Sequence, residues 1–318
     1  MKTIKDVTTI ITHPGQAHRD EFMALCLLVA AAERNGDDLG IERRDHTEDE
    51  LDDSSLLILD QGGKHDPDML NFDHHQLDRF ADPTCSITLV LPLLGIDPEE
   101  ARRIWGWLKF SEMLDSKGPF ATASHYGMSP DSLFATVSPI ETTVLRWFER
   151  ETDIAESQPA FRHGEEEPNP LYDLMVLIGQ EKLSYLDKLI ERLDLLRLSV
   201  DTYSIGAKPG VSQGVDVIDA SCIPREQSPQ LGLEVYCQEL QANRGFKTAI
   251  TITQDDRGEG LCLFRRNDDP NVDFSQIEGE DEVLFAHKSG FVAKLHPGVS
   301  HERLQELLKA SLVVSVEA

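Results

Sequence analysis

Val7-Thr8-Thr9-Ile10-Ile11-Thr12-His13 is a run of β-branched residues that ends on an imidazole, and Pro14-Gly15 turns the chain directly after it. Branching at Cβ favours extended backbone, so residues 7–13 predict a strand. From Asp20 to Arg34 the sequence is apolar nearly all round and closes on Asn35-Gly36, which predicts a buried helix. A second apolar run, Ser55-Leu56-Leu57-Ile58-Leu59-Asp60, is cut off by Gly62-Gly63. It suits a central parallel strand covered on both faces.

Outward from this start the alternation continues. Helices fit 84–95, 97–114, 139–152 and 170–198. Strands fit 213–220, 247–254 and 260–266, the last two flanking a turn-rich stretch that suggests a hairpin. Further helices fit 230–243 and 300–311. Strand–helix alternation predicts an α/β protein: an N-terminal domain with a mainly parallel sheet flanked by helices, and a smaller C-terminal α/β domain. The polar, proline-rich stretch 156–170 reads as a loop. The expected division is a first domain over 1–165, a long helical connector over 166–199 and a second domain over 200–318.

Composition narrows the function classes. The chain has 318 residues, 40% of them hydrophobic, with a formal net charge of −27. That acidity argues against extended duplex nucleic acid as a partner, because such binding relies on Lys and Arg neutralising phosphates. The apolar stretch Phe22–Ala32 is shorter than the ~20 residues that span a bilayer. The opening residues lack a signal-peptide core. Cytoplasm is the expected compartment, with no membrane partner. The five cysteines are odd in number and widely spaced, which disfavours a disulfide framework or a thiolate zinc site.

The histidines carry the chemical signal. Six of the eleven (His13, His18, His46, His65, His74, His75) fall within the first 75 residues. His13 ends the first strand, and His18 and Asp20 follow in the loop. Asp60 ends the second strand, Asp73-His74-His75 comes after a short loop, and Asp115 lies further on. In open α/β sheets, ligands bind outside the carboxyl ends of the strands, where His13 and Asp60 are expected. Clustered carboxylates repel one another, and a cation reverses that penalty. Mixed imidazole and carboxylate donors suit Mn²⁺, Fe²⁺, Co²⁺ or Zn²⁺. The donors outnumber the needs of one tetrahedral ion, so two ions sharing a carboxylate is the natural solution. Two ions ~3.5–4 Å apart activate water and clamp both oxygens of an in-line phosphoryl displacement. Taken singly, Asp20 and Asp115 read equally as helix caps, His46 as solvated surface, His65 as loop, and His13 as structural. Their joint order is what points to a metal centre.

That order resembles the DHH phosphoesterase superfamily, and most closely the melanocyte-proliferating-gene family of metal-dependent hydrolases and exonucleases. Thr12-His13-x-Gly15-x-x-His18-x-Asp20-Glu21 is similar to that family's opening motif, Asp60-x-Gly62-Gly63 to its second, and Phe72-Asp73-His74-His75-Gln76 to its third. Asp115-x-x-Gly118 is similar to the fourth, and Phe285-Ala286-His287-Lys288-Ser289-Gly290-Phe291 to a C-terminal segment. His18 stands where the wider superfamily has an aspartate, as it does in the narrower family.

The resemblance implies a two-metal phosphodiesterase acting on a short oligonucleotide, in the manner of a 3′–5′ exonuclease, or on a small phosphorylated molecule. The expected cofactors are two divalent ions, Mn²⁺ first, with Mg²⁺, Co²⁺, Fe²⁺ or Zn²⁺ as alternatives. His13, His18 and Asp60 would hold one ion; Asp20, Asp60, His74 and Asp115 the other, with Asp60 bridging. His75 would face the substrate phosphate, and Gln76 would orient a histidine or lie on a surface loop. His287, Lys288 and the Gly290 backbone would bind substrate from the second domain. The competing reading is a noncatalytic metal- or nucleotide-binding module on the same fold.

Overall fold

The computed structural model describes residues 3–152, 161–162, 169–206, 214–227 and 230–313. Most of the loop expected over 156–170 and the expected boundary at residue 165 lie outside the described residues, as does residue 213 at the start of one expected strand. The chain forms two compact units, Met1–Leu186 and Asp187–Ala318.

The first unit contains β1 (Thr9–Thr12), α1 (Arg19–Arg34), β2 (Gly40–Arg43), β3 (Leu56–Leu59), β4 (His65–Asp66) and β5 (Asn71–Phe72). Helices α2 (Ser86–Val90), α3 (Pro98–Ile104), α4 (Leu108–His125), α5 (Pro130–Ala135) and α6 (Pro139–Thr152) follow. The long helix α7 (Pro170–Ser199) contains the division between the units. The sheet runs β2-β1-β3-β5-β4. β1 pairs in parallel with β2 and β3, and β3 with β5, while β4 is antiparallel to β5. Ile10 and Ile11 point to opposite faces of β1 and both are fully buried. Covered on both sides, each contributes about 1.5–3 kcal/mol of burial free energy. The mainly parallel sheet flanked by helices is therefore as expected.

Helix α1 is buried along its length, with Ala24 to Ala30 entirely enclosed. Gly179 of α7 lies against it: a Cβ at that position would sit 1.9 Å from the Cys26 carbonyl oxygen, so only glycine permits this approach. The expected helix over 84–95 is shorter, α2 plus a 3₁₀ turn at Leu91–Leu94. That over 97–114 divides into α3 and α4. Within α4, Gly118 has φ +78° and is followed by Pro119, which breaks the helix just after Asp115.

The second unit contains β6 (Asp201–Ile205), β7 (Val215–Asp219), α8 (Leu233–Arg244), β8 (Thr248–Gln254), β9 (Leu261–Arg265), β10 (Val283–Ala286), β11 (Val292–Leu295) and α9 (His301–Ala310). Its sheet runs β10-β11-β9-β8-β7-β6 and is antiparallel except between β7 and β8. The expected hairpin is β8–β9, with Gln254 opposite Leu261. Leu304, Leu307 and Leu308 of α9 share a core with Ile250, Ile252, Leu263, Ala293 and Leu295 of the sheet. All five cysteines are free thiols. No helix among the described residues is long and apolar enough to cross a membrane.

Candidate metal centre

β1 and β3 lie side by side, in register at Thr12↔Leu59, so the residues that follow, His13 and Asp60, emerge together at the carboxyl edge. Asp60 has φ +59°, a left-handed conformation that aspartate tolerates better than most residues. Its N–H donates to the Phe72 carbonyl, and the residue is 2% exposed. His18 caps α1, and Asp20 stands in the first turn of that helix, 2% exposed. His74 follows β5, and Asp115 comes from α4.

These side chains converge. Donor atoms of His13, His18 and Asp60 lie within 4.8 Å of one another, as do those of His18, Asp20 and Asp115, and those of Asp60, His74 and His75. His74 Nε2 is 3.2 Å from Asp60 Oδ1 and 2.8 Å from Asp115 Oδ2. His13 Nε2 is 3.5 Å from Asp60 Oδ2. His13 Nδ1 sits 2.9 Å from the Pro14 carbonyl, a contact that only a protonated Nδ1 satisfies and that leaves Nε2 as the coordinating nitrogen.

Two observations test whether the cluster suits cations. First, His13 Nε2, Asp60 Oδ2 and Asp115 Oδ2 are buried without a hydrogen-bond partner, although each has an oppositely charged neighbour. Such atoms are close but not aligned as donor and acceptor, as lone pairs turned towards a common ion would be. Second, the charges conflict. Burial, with repulsion from Asp60 and Asp115, pushes the Asp20 carboxyl well above its usual range. Asp60 and Glu21 push His13 up to about 10. Burial opposes protonation of His74, but Asp115 and Asp60 outweigh it and push that imidazole up to about 10 as well. Burial also opposes ionisation of Asp60, yet contacts with His13, His74 and Ser86 hold it far below the ordinary carboxylate range. A nitrogen–oxygen donor set with surplus buried acid fits divalent ions.

Residues outside the expected set support the cluster. Asp73 is 1% exposed. Its Oδ1 accepts from the His74 and His75 N–H groups and lies 2.7 Å from His75 Nδ1, while Oδ2 accepts from the Gly63 N–H at 2.6 Å. It fixes the His75 ring, which is itself mostly exposed. Glu21, fully buried, accepts from Thr12 Oγ1 at 3.0 Å and the His18 N–H at 3.1 Å, and lies 3.2 Å from His13 Nε2. It thereby links both histidines of the opening motif. The glutamate three residues after a helix cap was the available signal. Ser86, at the start of α2, donates its hydroxyl to Asp60 Oδ1 at 2.8 Å and its N–H to Asp20 Oδ2 at 3.1 Å. No sequence pattern marked it.

Of the two readings of Gln76, the loop residue holds: exposed in a turn, it donates to the Asp73 carbonyl and braces the loop rather than a histidine ring. Two minor expectations change. His46 is half-buried, with Nδ1 3.0 Å from Gln61 Oε1, not a solvated surface residue. His65 belongs to β4, paired opposite Phe72. In the second unit, His287, Lys288 and Gly290 form the turn between β10 and β11. The Gly290 N–H donates to the His287 carbonyl at 2.7 Å. Gly290 has φ +67°, and a Cβ there would meet the Asp273 carboxylate, so glycine is needed to make the turn. Lys288 is exposed.

A histidine–aspartate cluster at the carboxyl ends of parallel strands, in the motif order found here, resembles the metal centre of the DHH phosphoesterases. More narrowly, residues 9–87 match the model of the uncharacterised protein family UPF0160, labelled MYG1_exonuc. The matched segment holds His13, His18, Asp20, Asp60, His74 and His75 and stops before Asp115. No curated relative matches the sequence. Among solved structures, a DHH domain described as a member of a family of ribosomal proteins is 14% identical, with 96% of this chain and 87% of that chain covered at a TM-score of 0.31. CDC45 from Entamoeba histolytica is 10% identical, with 96% and 95% covered at 0.31. RecJ in complex with Mn²⁺ from Thermus thermophilus is 13% identical, with 97% and 52% covered at 0.28.

Proposed function

We propose that the chain is a metal-dependent phosphodiesterase that cleaves a short oligonucleotide or a small phosphorylated molecule by a two-metal route. The observation that carries this reading is the overlap of three donor groups through Asp60 and His18, because ligands shared between neighbouring groups suit a pair of ions better than one. His13, His18 and Asp60 would hold one ion, and Asp20, Asp60, His74 and Asp115 the other. When bound, two divalent ions supply a nucleophile at neutral pH and neutralise charge on the phosphoryl group. Mn²⁺ is the expected ion, from the mixed nitrogen and oxygen donors.

The protein groups have separate tasks. Asp60 would bridge, and its hydrogen bond from Ser86 fixes one carboxylate oxygen. Asp73 holds His75 at Nδ1, so that the ring, carrying a proton on each nitrogen, would donate Nε2–H to the phosphate, an interaction that strengthens as charge builds in the transition state. Glu21 holds the His13–His18 loop in place. His287 and Lys288 are proposed phosphate contacts, with Gly290 keeping the turn that carries them.

The test is Mn²⁺-dependent turnover of a short RNA, a dinucleotide, pyrophosphate and bis(p-nitrophenyl) phosphate. Hydrolysis of a phosphodiester that stops on chelation is the expected result. Tight Mn²⁺ binding with no turnover of any of the four would instead identify a noncatalytic module.

A further inference from the structure

The loop between His13 and His18 has a second face. Gly15, Gln16 and Ala17 form one wall of an open recess of about 810 Å³, whose opposite wall is α6. Two arginines of that helix, Arg146 and Arg150, line the recess. They are four residues apart and so share one side of the helix. Both are exposed, and among the described residues neither has an ion-pair or hydrogen-bond partner.

The carboxylates nearby are already engaged. Glu141 makes a two-pronged ion pair with Arg19, at 2.6 and 2.9 Å. Glu149 accepts the Ala17 N–H at 2.9 Å and thereby ties the loop to α6. With Arg19 and Glu141 paired, the recess has two arginines against the one remaining carboxylate of Glu149. In a chain of net charge −27 this is a local excess of guanidinium, and it lies against the loop that carries two of the proposed metal ligands. Guanidinium groups favour phosphate oxygens through paired N–H donors.

We infer that Arg146 and Arg150 form a second phosphate site, which holds a phosphate of the substrate other than the one cleaved. The inference rests on the phosphodiesterase reading and narrows it: the preferred substrates carry at least two phosphates spaced by a nucleoside, and a lone diester lacks one of the two contacts. The Glu149–Ala17 bond fixes the position of this site relative to the loop that His13 and His18 bracket.

The test compares full-length wild type with Arg146→Gln/Arg150→Gln in Mn²⁺, on the 5′-phosphorylated trinucleotide pApApA and on bis(p-nitrophenyl) phosphate. The ratio of kcat/KM for the trinucleotide to that for the single diester should fall about ten-fold, mainly through KM. The KM for pApApA should also depend less steeply on KCl in the variant, a readout that simple loss of helix stability would not move. An unchanged ratio, or equal losses on both substrates, overturns the second site while leaving the phosphodiesterase reading intact. If wild type turns over neither substrate, the phosphodiesterase reading fails, and anisotropy of labelled pApApA then decides the site: weaker binding by the variant upholds it, and equal binding overturns it.

Discussion

Buried acid is treated in opposite ways at Asp255 and in the strand-end cluster. In the second unit, Asp255 is 6% exposed and is answered by the protein itself, with Lys294 Nζ 2.6 Å away and the Arg257 N–H donating. Burial raises the Asp255 carboxyl, but Lys294 and that N–H more than compensate and bring it below the ordinary range. In the first unit, Asp20, Asp60 and Asp115 are gathered at the sheet edge with no lysine or arginine among their close partners. Asp20 is forced towards its neutral form, and two imidazoles are drawn into the protonated form. Asp255 has its charge balanced by the protein, whereas the strand-end cluster leaves a balance that a cation would complete.

The sharpest way to break this contrast is Asp60→Asn. Removing the proposed bridge should lower turnover by roughly 10³-fold or more and weaken Mn²⁺ binding at both positions. Turnover of bis(p-nitrophenyl) phosphate and calorimetric titration with Mn²⁺ check it; near-normal turnover removes the bridging role. Glu21→Gln comes next. An outer partner of ligating histidines usually matters by about 10–100-fold in metal affinity, so Mn²⁺ dissociation should move by that amount with the fold retained.

Stability in metal-free buffer sharpens the comparison directly. Asp255→Asn loses a charge-assisted contact to Lys294 and should cost about 1.5–3 kcal/mol. Asp20→Asn keeps an acceptor for the Ser86 N–H and relieves repulsion, so it should leave the metal-free melting temperature unchanged or raised. Equal destabilisation by both substitutions would erase the distinction between the two sites.

The pH dependence has a defined sign. His13 and His74 are raised from 6.5 to about 10 in the metal-free chain. Their ion pairs therefore stabilise the fold fully below about pH 6.5, and that contribution is lost as pH rises through about 10. A metal competes for the same nitrogens and for the Asp20 carboxylate, so Mn²⁺ binding near neutral pH should release about two protons from the imidazoles, and a further one from Asp20 where that carboxyl is neutral, and should tighten as pH rises. Titrations in buffers of different ionisation enthalpy count those protons; a release of none would contradict the assigned ligands. The smallest effect belongs to Gln76→Ala. Because Gln76 braces a main-chain carbonyl, turnover should change by no more than about three-fold.

Much of this was legible in the sequence because strong local signals coincided with the site. The β-branched run before His13 and the apolar run before Asp60 marked two adjacent parallel strands, and ligands at the ends of such strands meet wherever the register aligns them. The apolar Phe22–Ala32 stretch marked a buried helix, so Asp20 at its start could be placed. β2 escaped because Gly40-Ile41-Glu42-Arg43 has one large apolar residue and edge position, and its pairing with β1 supplies what its composition does not. β4 and β5 are two residues each, too short for any periodicity. The supporting residues were hidden for a different reason. Asp73 read as part of a ligand motif, yet its oxygens are taken up by N–H groups and the His75 ring. Ser86 reaches Asp60 across 26 positions of sequence, a contact that only the tertiary fold creates. Nothing local sets Arg146 and Arg150 apart from solvated helix charges; the Gly15–Ala17 wall opposite them is made by the tertiary fold.

The central claim is that the strand-end cluster is a two-cation site, and anomalous diffraction from Mn²⁺-soaked crystals tests it most directly. Two peaks are predicted, with the Asp60 carboxylate between them, His13 and His18 around one, and His74 and Asp115 around the other. A map with no peak among these side chains, recorded at Mn²⁺ concentrations that support turnover, would contradict the account.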